Sequence, residues 1–247
     1  MQCAHCTKLG LWVYFVQIGV GCTKDMPELC IYCGKREATT KDHVPPKSFF
    51  PKPRPDNLIT VPCCDHCNGI YGKDDERVRN LLTSLEATED HPGIHGQIAD
   101  KRNRSFLREH GRSNFQHILQ SMKMVDVYSP GGIFFGRRPA FDLDQEVMDR
   151  FMERLTRALL YRENAVGYVE GEVEWCMAPT EKDFESMPPE MKALLASVNP
   201  KEIGDNVFTY IGYCYPGKAG SLWVMSFYGG VEFMSMLRDK ERHSTKR

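Results

Sequence analysis

The chain carries no excess of either charge. Its 32 Lys and Arg stand against 33 Asp and Glu, a formal net charge of −1 over 247 residues. A chain-wide basic coat of the kind that wraps nucleic acid is excluded, so any basic surface has to be local. No apolar run reaches the roughly 18 residues of a membrane-spanning helix. No internal repeat is found. Beyond residue 67 cysteine is nearly absent, with only Cys176 and Cys214. Apolar residues make up 41% and charged residues 26%, which is globular composition and excludes disorder as the main state. A chain of this length buries a sizeable core without needing a disulfide framework.

Cysteine is concentrated at the other end. Of ten cysteines, eight lie at positions 3, 6, 22, 30, 33, 63, 64 and 67. With no clear secretion signal, that clustering points to metal rather than to disulfides, and to a cytoplasmic protein. Residues 1–25 stand apart. The apolar stretch 9–20 has the look of a signal-peptide core, but Lys8 is its only basic flank and no small-residue cleavage site follows. A strand packed on the body, or a start at Met26, are the competing readings.

Residues 26–73 are rich in Cys, Pro and Lys with little periodicity, as in segments held by a metal. Leu58–Val61 reads as a short strand. A helix is expected from Asp74, where Val78, Leu81, Leu82 and Leu85 have helical spacing behind Asp74, Asp75 and Glu76. Residues 87–103 read as a linker or surface loop, 104–122 as a helix interrupted at Gly111, and 125–144 as extended or loop. The best helix is 145–163, with Val147, Met148, Phe151, Met152, Leu155, Leu159 and Leu160 in one stripe. A strand at 169–177, a helix at 181–197 and strands at 206–215 and 221–236 follow, the last containing a hairpin signal at Tyr228-Gly229-Gly230-Val231. Cys176 and Cys214 read as core residues. The tail 241–247 is charged and expected to fray.

Cys30-Ile-Tyr-Cys33 and Cys64-Asp-His-Cys67 are two CxxC knuckles. Each such turn points two thiolates at one tetrahedral metal, so Cys30, Cys33, Cys64 and Cys67 are the expected ligands of a structural Zn²⁺. Four unligated thiols or a redox pair are the alternatives. Cys63 and His66 are spare candidates, and Cys3, Cys6 and Cys22 with His5 form a possible second set.

Between the knuckles lie Asp42-His43-Val44-Pro45 and Asp56-Asn57-Leu58-Ile59, and Asn68 follows the second knuckle. This order resembles the zinc-containing HNH endonuclease family and its ββα-metal fold over about residues 28–80. The resemblance implies His43 as general base, Asp42 and Asn68 as oxygen donors to one Mg²⁺ or Mn²⁺, and Asn57 orienting the His43 ring or its loop. It also implies cleavage leaving a 3′-hydroxyl and a 5′-phosphate. Many members carry a second His where this chain has Asn68. The chemistry agrees: phosphodiester hydrolysis needs a base for water and neutralisation of charge at phosphorus, and an imidazole of pKa about 6.5 is suited to the first. His43 as a zinc ligand or as a structural loop residue, and Asp42 as a turn cap, are the alternatives. Asp74 and Asp75 read as helix-start charges or as an extra metal contact.

Residues 35–54 carry a net charge of +4, with Lys41, Lys47, Lys52 and Arg54 nearest the motif, and residues 101–112 also carry +4. Either could contact phosphates or be a solvated face. Phe49 and Phe50 could stack a base, though packing under the metal loop is the ordinary role of such a pair.

The fold expected is therefore α+β: a small zinc-stabilised ββα-metal module at 26–88 and a larger α+β domain at 89–240. The function expected is metal-dependent endonuclease action on nucleic acid, double-stranded DNA first, as in restriction or phage defence. A homodimer or a protein partner would use the C-terminal domain. The rivals are a non-catalytic zinc module that binds nucleic acid or protein, and an HNH module controlled by a C-terminal sensor.

Overall fold

The computed structural model describes residues 27–129, 131–164, 167–177, 185, 187–214 and 220–239. The apolar stretch 9–20, Met26, the candidate set Cys3, His5, Cys6 and Cys22, and the tail 241–247 lie outside the described residues.

Strands β1 (Thr40–Val44) and β2 (Ile59–Cys63) pair antiparallel, with Asp42 opposite Val61 and His43 opposite Thr60. Helix α1 (Asp65–Leu82) follows at once. It starts nine residues earlier than the sequence suggests, because its first turn is set by the second knuckle rather than by apolar spacing. Helices α2 (Gln97–Leu107) and α3 (Glu109–Ser121) break at Arg108, and Gly111 lies inside α3. The segment read as a linker thus holds the start of a helix. The hairpin β3 (Lys123–Tyr128) and β4 (Phe134–Ala140) leads into α4 (Gln145–Asn164).

The remaining strands are β5 (Gly171–Met177), β6 (Lys201–Ile203), β7 (Phe208–Cys214), β8 (Ser221–Phe227) and β9 (Val231–Asp239). They form one antiparallel sheet in the order β5-β9-β8-β7-β6. Helix α5 (Pro189–Ser197) sits near its other side. Period-two alternation sorts the strand residues. Trp223, Met225, Phe227, Phe233 and Leu237 join the core with α4, whereas Leu222 packs with Met187 and Leu195, flanked by Val224, Met234 and Met236.

One buried cluster runs from Cys30 through Val61, Leu82, Phe151 and Leu155 to Phe227 and Leu237. The limit read at 88/89 is therefore not a limit of packing. Phe49 is fully buried and stacks on Phe151 at 5.8 Å and on Tyr228 at 6.5 Å, and the Tyr228 hydroxyl donates to the Phe49 carbonyl at 2.9 Å. Phe49 is core, as its ordinary role suggests, and it pins the loop between β1 and β2 to α4 and the β8–β9 turn. Cys214 and Cys176 are only partly buried.

Candidate functional site

The two knuckles meet. The Sγ atoms of Cys30, Cys33, Cys64 and Cys67 lie within 4.8 Å of one another, and Cys33 Sγ is 4.0 Å from Cys64 Sγ. Tetrahedral Zn–S bonds of about 2.3 Å set thiolates about 3.8 Å apart, so this cluster could hold a zinc ion. The first knuckle is closed by the Gly34 N–H donating to the Cys30 carbonyl at 2.8 Å. Gly34 has φ +60°, and a Cβ there would meet the Tyr168 ring at 2.5 Å, so this position wants glycine twice over. The second knuckle is the start of α1, with Cys64 at its N-cap and Cys67 in its first turn. Burial alone would raise the Cys33 thiol, but backbone N–H groups of Lys35 and Arg36 and the thiols of Cys30 and Cys64 bring it down to about 7. Burial and the Cys64 contact push Cys67 up. Cys63 stands outside the cluster: it is fully buried, its Sγ donates to the Cys64 carbonyl at 3.3 Å, and burial raises its pKa. His66 is exposed, and neither it nor His43 joins the four thiols.

On β1 the alternation sends Asp42 and Val44 inward and leaves Lys41 exposed and His43 half-buried. His43 lines a cavity of about 470 Å³ with Lys41, Asp42, Lys47 and Ser48 on one side. The other wall is one face of α1: Asn68, Gly72, Asp75, Glu76 and Arg79, at helical spacing. So the fold brings His43, Asp42 and Asn68 to one cavity. Asn68 is held there by its amide, which donates to Thr40 Oγ1 at 3.3 Å. Gly72 leaves the wall open, since a Cβ there would meet nothing within 4 Å. Ser48 Oγ is the one buried side-chain polar atom among the described residues without a hydrogen-bond partner. Burial lowers the His43 pKa, Lys47 and Arg54 lower it further, and Asp42 opposes them. The ring is therefore held neutral, with a lone pair for a proton.

Asp42 is more engaged than a free metal ligand would be. It is 4% exposed. Arg154 of α4 donates to both its oxygens, at 2.7 and 2.6 Å, and the Tyr32 hydroxyl donates to Oδ2 at 2.7 Å. Arg154 also pairs with Asp75 and lies over the Tyr71 ring, 4.7 Å from its centroid. Burial opposes the guanidinium charge, but Asp75 and Asp42 outweigh it. Two carboxylates, Asp42 buried and Asp75 partly buried, share one cation, and desolvation raises Asp75 to about 6 against the pull of Arg154. Asp74 pairs with Arg150, at 2.7 and 3.0 Å. Asp74 and Asp75 are thus mid-helix partners of α4, not charges at a helix start.

Asn57 goes elsewhere. Its amide donates to the Glu202 carbonyl at 2.9 Å, and it lines a separate cavity beside Gly204 and Asp205. It ties the loop to the strand β6 region and does not line the His43 cavity. Among the described residues no second group of three or more His, Cys, Asp or Glu side chains is close enough to hold a metal, apart from the four thiols.

Of the basic residues, Lys41 and Lys47 line the His43 cavity, and Lys52 and Arg54 line a neighbouring one. Arg154 and Arg79 were not anticipated. A signal existed for Arg154, which sits three residues after Phe151 and seven after Val147, on the apolar face of α4. Among the described residues no helix is long and apolar enough to cross a membrane. Comparison with protein-family models, with curated proteins and with solved structures finds no match.

Proposed function

We propose that this chain is a metal-dependent endonuclease of the HNH type, hydrolysing phosphodiester bonds in DNA. One observation carries the reading: a half-buried imidazole held neutral at His43 faces Asn68 across a cavity rimmed by Lys41 and Lys47, next to a four-thiol cluster. In this reading the four thiolates hold a structural Zn²⁺, which keeps no open position and fixes the start of α1 against the Cys30–Cys33 turn.

His43 takes the proton of the attacking water. Its lowered pKa keeps it unprotonated at neutral pH, which a base requires. Lys41 and Lys47 offset phosphate charge on the approaching strand. Asp42 and Asn68 offer hard oxygen donors that fit one Mg²⁺ or Mn²⁺. The Asp42 oxygens keep further lone pairs beyond those bonded to Arg154 and Tyr32. When bound, the ion would neutralise charge at the phosphate and at the leaving oxygen.

The engagement of Asp42 by Arg154 favours a second reading, a nucleic-acid-binding zinc module without catalysis. Cleavage of plasmid DNA with Mg²⁺, with Mn²⁺ and with EDTA separates the two. Metal-dependent nicking with 3′-hydroxyl ends supports the nuclease. Binding without cutting, by zinc-loaded folded protein, moves the chain to the second reading. Cutting after residue 88 is no test of a separate module, because it removes Arg154 and more than half the shared core.

A further inference from the structure

A second cavity, of about 580 Å³, adjoins the first and shares Glu76 and Arg79 with it as a common wall. Six cations line it: Lys52 and Arg54 from the Pro-rich loop, Arg79 from α1, and Lys101, Arg104 and Arg108 from α2 and its end. Only Glu76 and Asp100 oppose them. None of the six forms an ion pair among the described residues, although Arg150, Arg154 and Arg157 are all paired.

Arg79 is the sharpest case. It is 3% exposed, and its Nε and Nη2 both donate to Asn80 Oδ1, at 3.2 and 2.7 Å. A neutral amide satisfies its geometry but not its charge; Glu76 and Asp75 only partly offset the burial that lowers its pKa, and a buried charge without a paired counterion is costly. Burial depresses Lys101, and Arg79, Arg54 and Lys52 depress it further against Glu76, which is what cations crowded in excess of their anions do. The walls are fixed in advance: Lys52 N–H donates to Gln97 Oε1 at 2.9 Å, and Gln97 Nε2 donates back to the Lys52 carbonyl at 2.8 Å. A single small anion could meet one or two of these cations. Six of them, spread over a loop and two helices and continuous with the His43 cavity, match a run of phosphates.

We infer that this second cavity is a phosphate subsite that holds the nucleic-acid strand on one side of the scissile bond. The inference rests on the nuclease reading for what happens at His43, and on the unpaired cations for the binding itself.

The test is fluorescence anisotropy of a labelled DNA duplex with zinc-loaded protein and no added Mg²⁺ or Mn²⁺, titrated at several salt concentrations. Wild type is compared with the double variant Lys101→Gln, Arg104→Gln, and with Arg238→Gln as a control far along the chain. Arg104 is exposed and Lys101 half-buried, so the double variant is expected to keep the wild-type melting temperature. Each phosphate contact contributes about 0.9 to the slope of log K against log salt, so the slope should fall by about 1.8. The Kd should rise roughly ten- to thirty-fold at physiological salt. Arg238→Gln should change neither. An unchanged slope and Kd in the double variant overturn the subsite. So does a mononucleotide that binds, and loses binding in the double variant, while the duplex does not bind. Metal-dependent cutting with an unchanged slope sinks the subsite alone. A reduced slope in a protein that cuts nothing keeps the subsite and sinks the nuclease reading.

Discussion

Arg154 on α4 grips Asp42 on β1 through two hydrogen bonds, of 2.7 and 2.6 Å, across 112 residues of chain. The residue before His43 is therefore set by a helix that lies far downstream. Removing one member of such a buried pair leaves the other charged and unpaired, at a cost of about 3–5 kcal/mol. Arg154→Met strands both Asp42 and Asp75, and urea unfolding should register a loss in that range. A loss below about 1 kcal/mol would mean that the pair does not hold β1 to α4. Arg154→Lys should not rescue fully, since an ammonium lacks the planar fork that meets both oxygens.

Asp75 gives the pH dependence of stability a definite sign. Burial raises its carboxyl from 3.8 to about 6. Between those values the folded chain holds more protons at this group than the unfolded chain does. Its contribution is therefore present at the acid end and is lost as pH rises through about 6. Asp75→Asn should flatten the stability curve between about pH 4 and pH 6, measured by urea midpoints across that range. An unaltered curve would contradict the burial argument.

Gly72 sits on the cavity face of α1 with open space where its Cβ would be. Gly72→Ala should stabilise the helix by about 0.5–1 kcal/mol and raise Tm by a few degrees. The same methyl projects into the His43 cavity, so on the proposed nuclease reading cleavage should fall while stability rises. Equal or higher activity in the stabilised variant would show that nothing approaches α1 closely there.

Much of this was legible in local sequence. The α4 stripe, the β8–β9 turn and the two knuckles are short-range signals, and the structure carries all three. What was not legible depends on partners far away in the chain. The start of α1 is set by Cys64 at its cap, not by periodicity. Asn57 was expected to orient the His43 ring or its loop; its amide ties the loop to Glu202, 145 residues on, a partner no local pattern shows. The basic run 101–112 splits in space: Lys101, Arg104 and Arg108 face the cavity, while Arg102 turns away to the Thr83 carbonyl. Two domains were expected because residues 87–103 read as a linker, yet Phe49 on one side of that segment packs against Phe151 and Tyr228 on the other.

Cys63 and Cys64 are adjacent and chemically alike, and the structure separates them. Cys64 belongs to the cluster and Cys63 is a core thiol. Metal analysis of purified protein should find one zinc fewer in Cys64→Ser and no change in Cys63→Ala. Loss of zinc from the Cys63 variant alone would reverse the ligand assignment.

The central claim is that His43 is the base of a hydrolytic site. Its pKa is lowered by burial and by Lys47 and Arg54, so the base should stay active below the ordinary histidine value of 6.5. The deciding measurement is the pH–rate profile of supercoiled plasmid nicking in Mg²⁺ or Mn²⁺, for wild type and for His43→Ala at matched zinc content. Nicking whose acid limb falls below pH 6.5, and a drop of roughly 100-fold or more in His43→Ala with DNA binding retained, is the expected result. Nicking that survives in His43→Ala, or a folded, zinc-loaded wild type that cuts with neither metal, would contradict it.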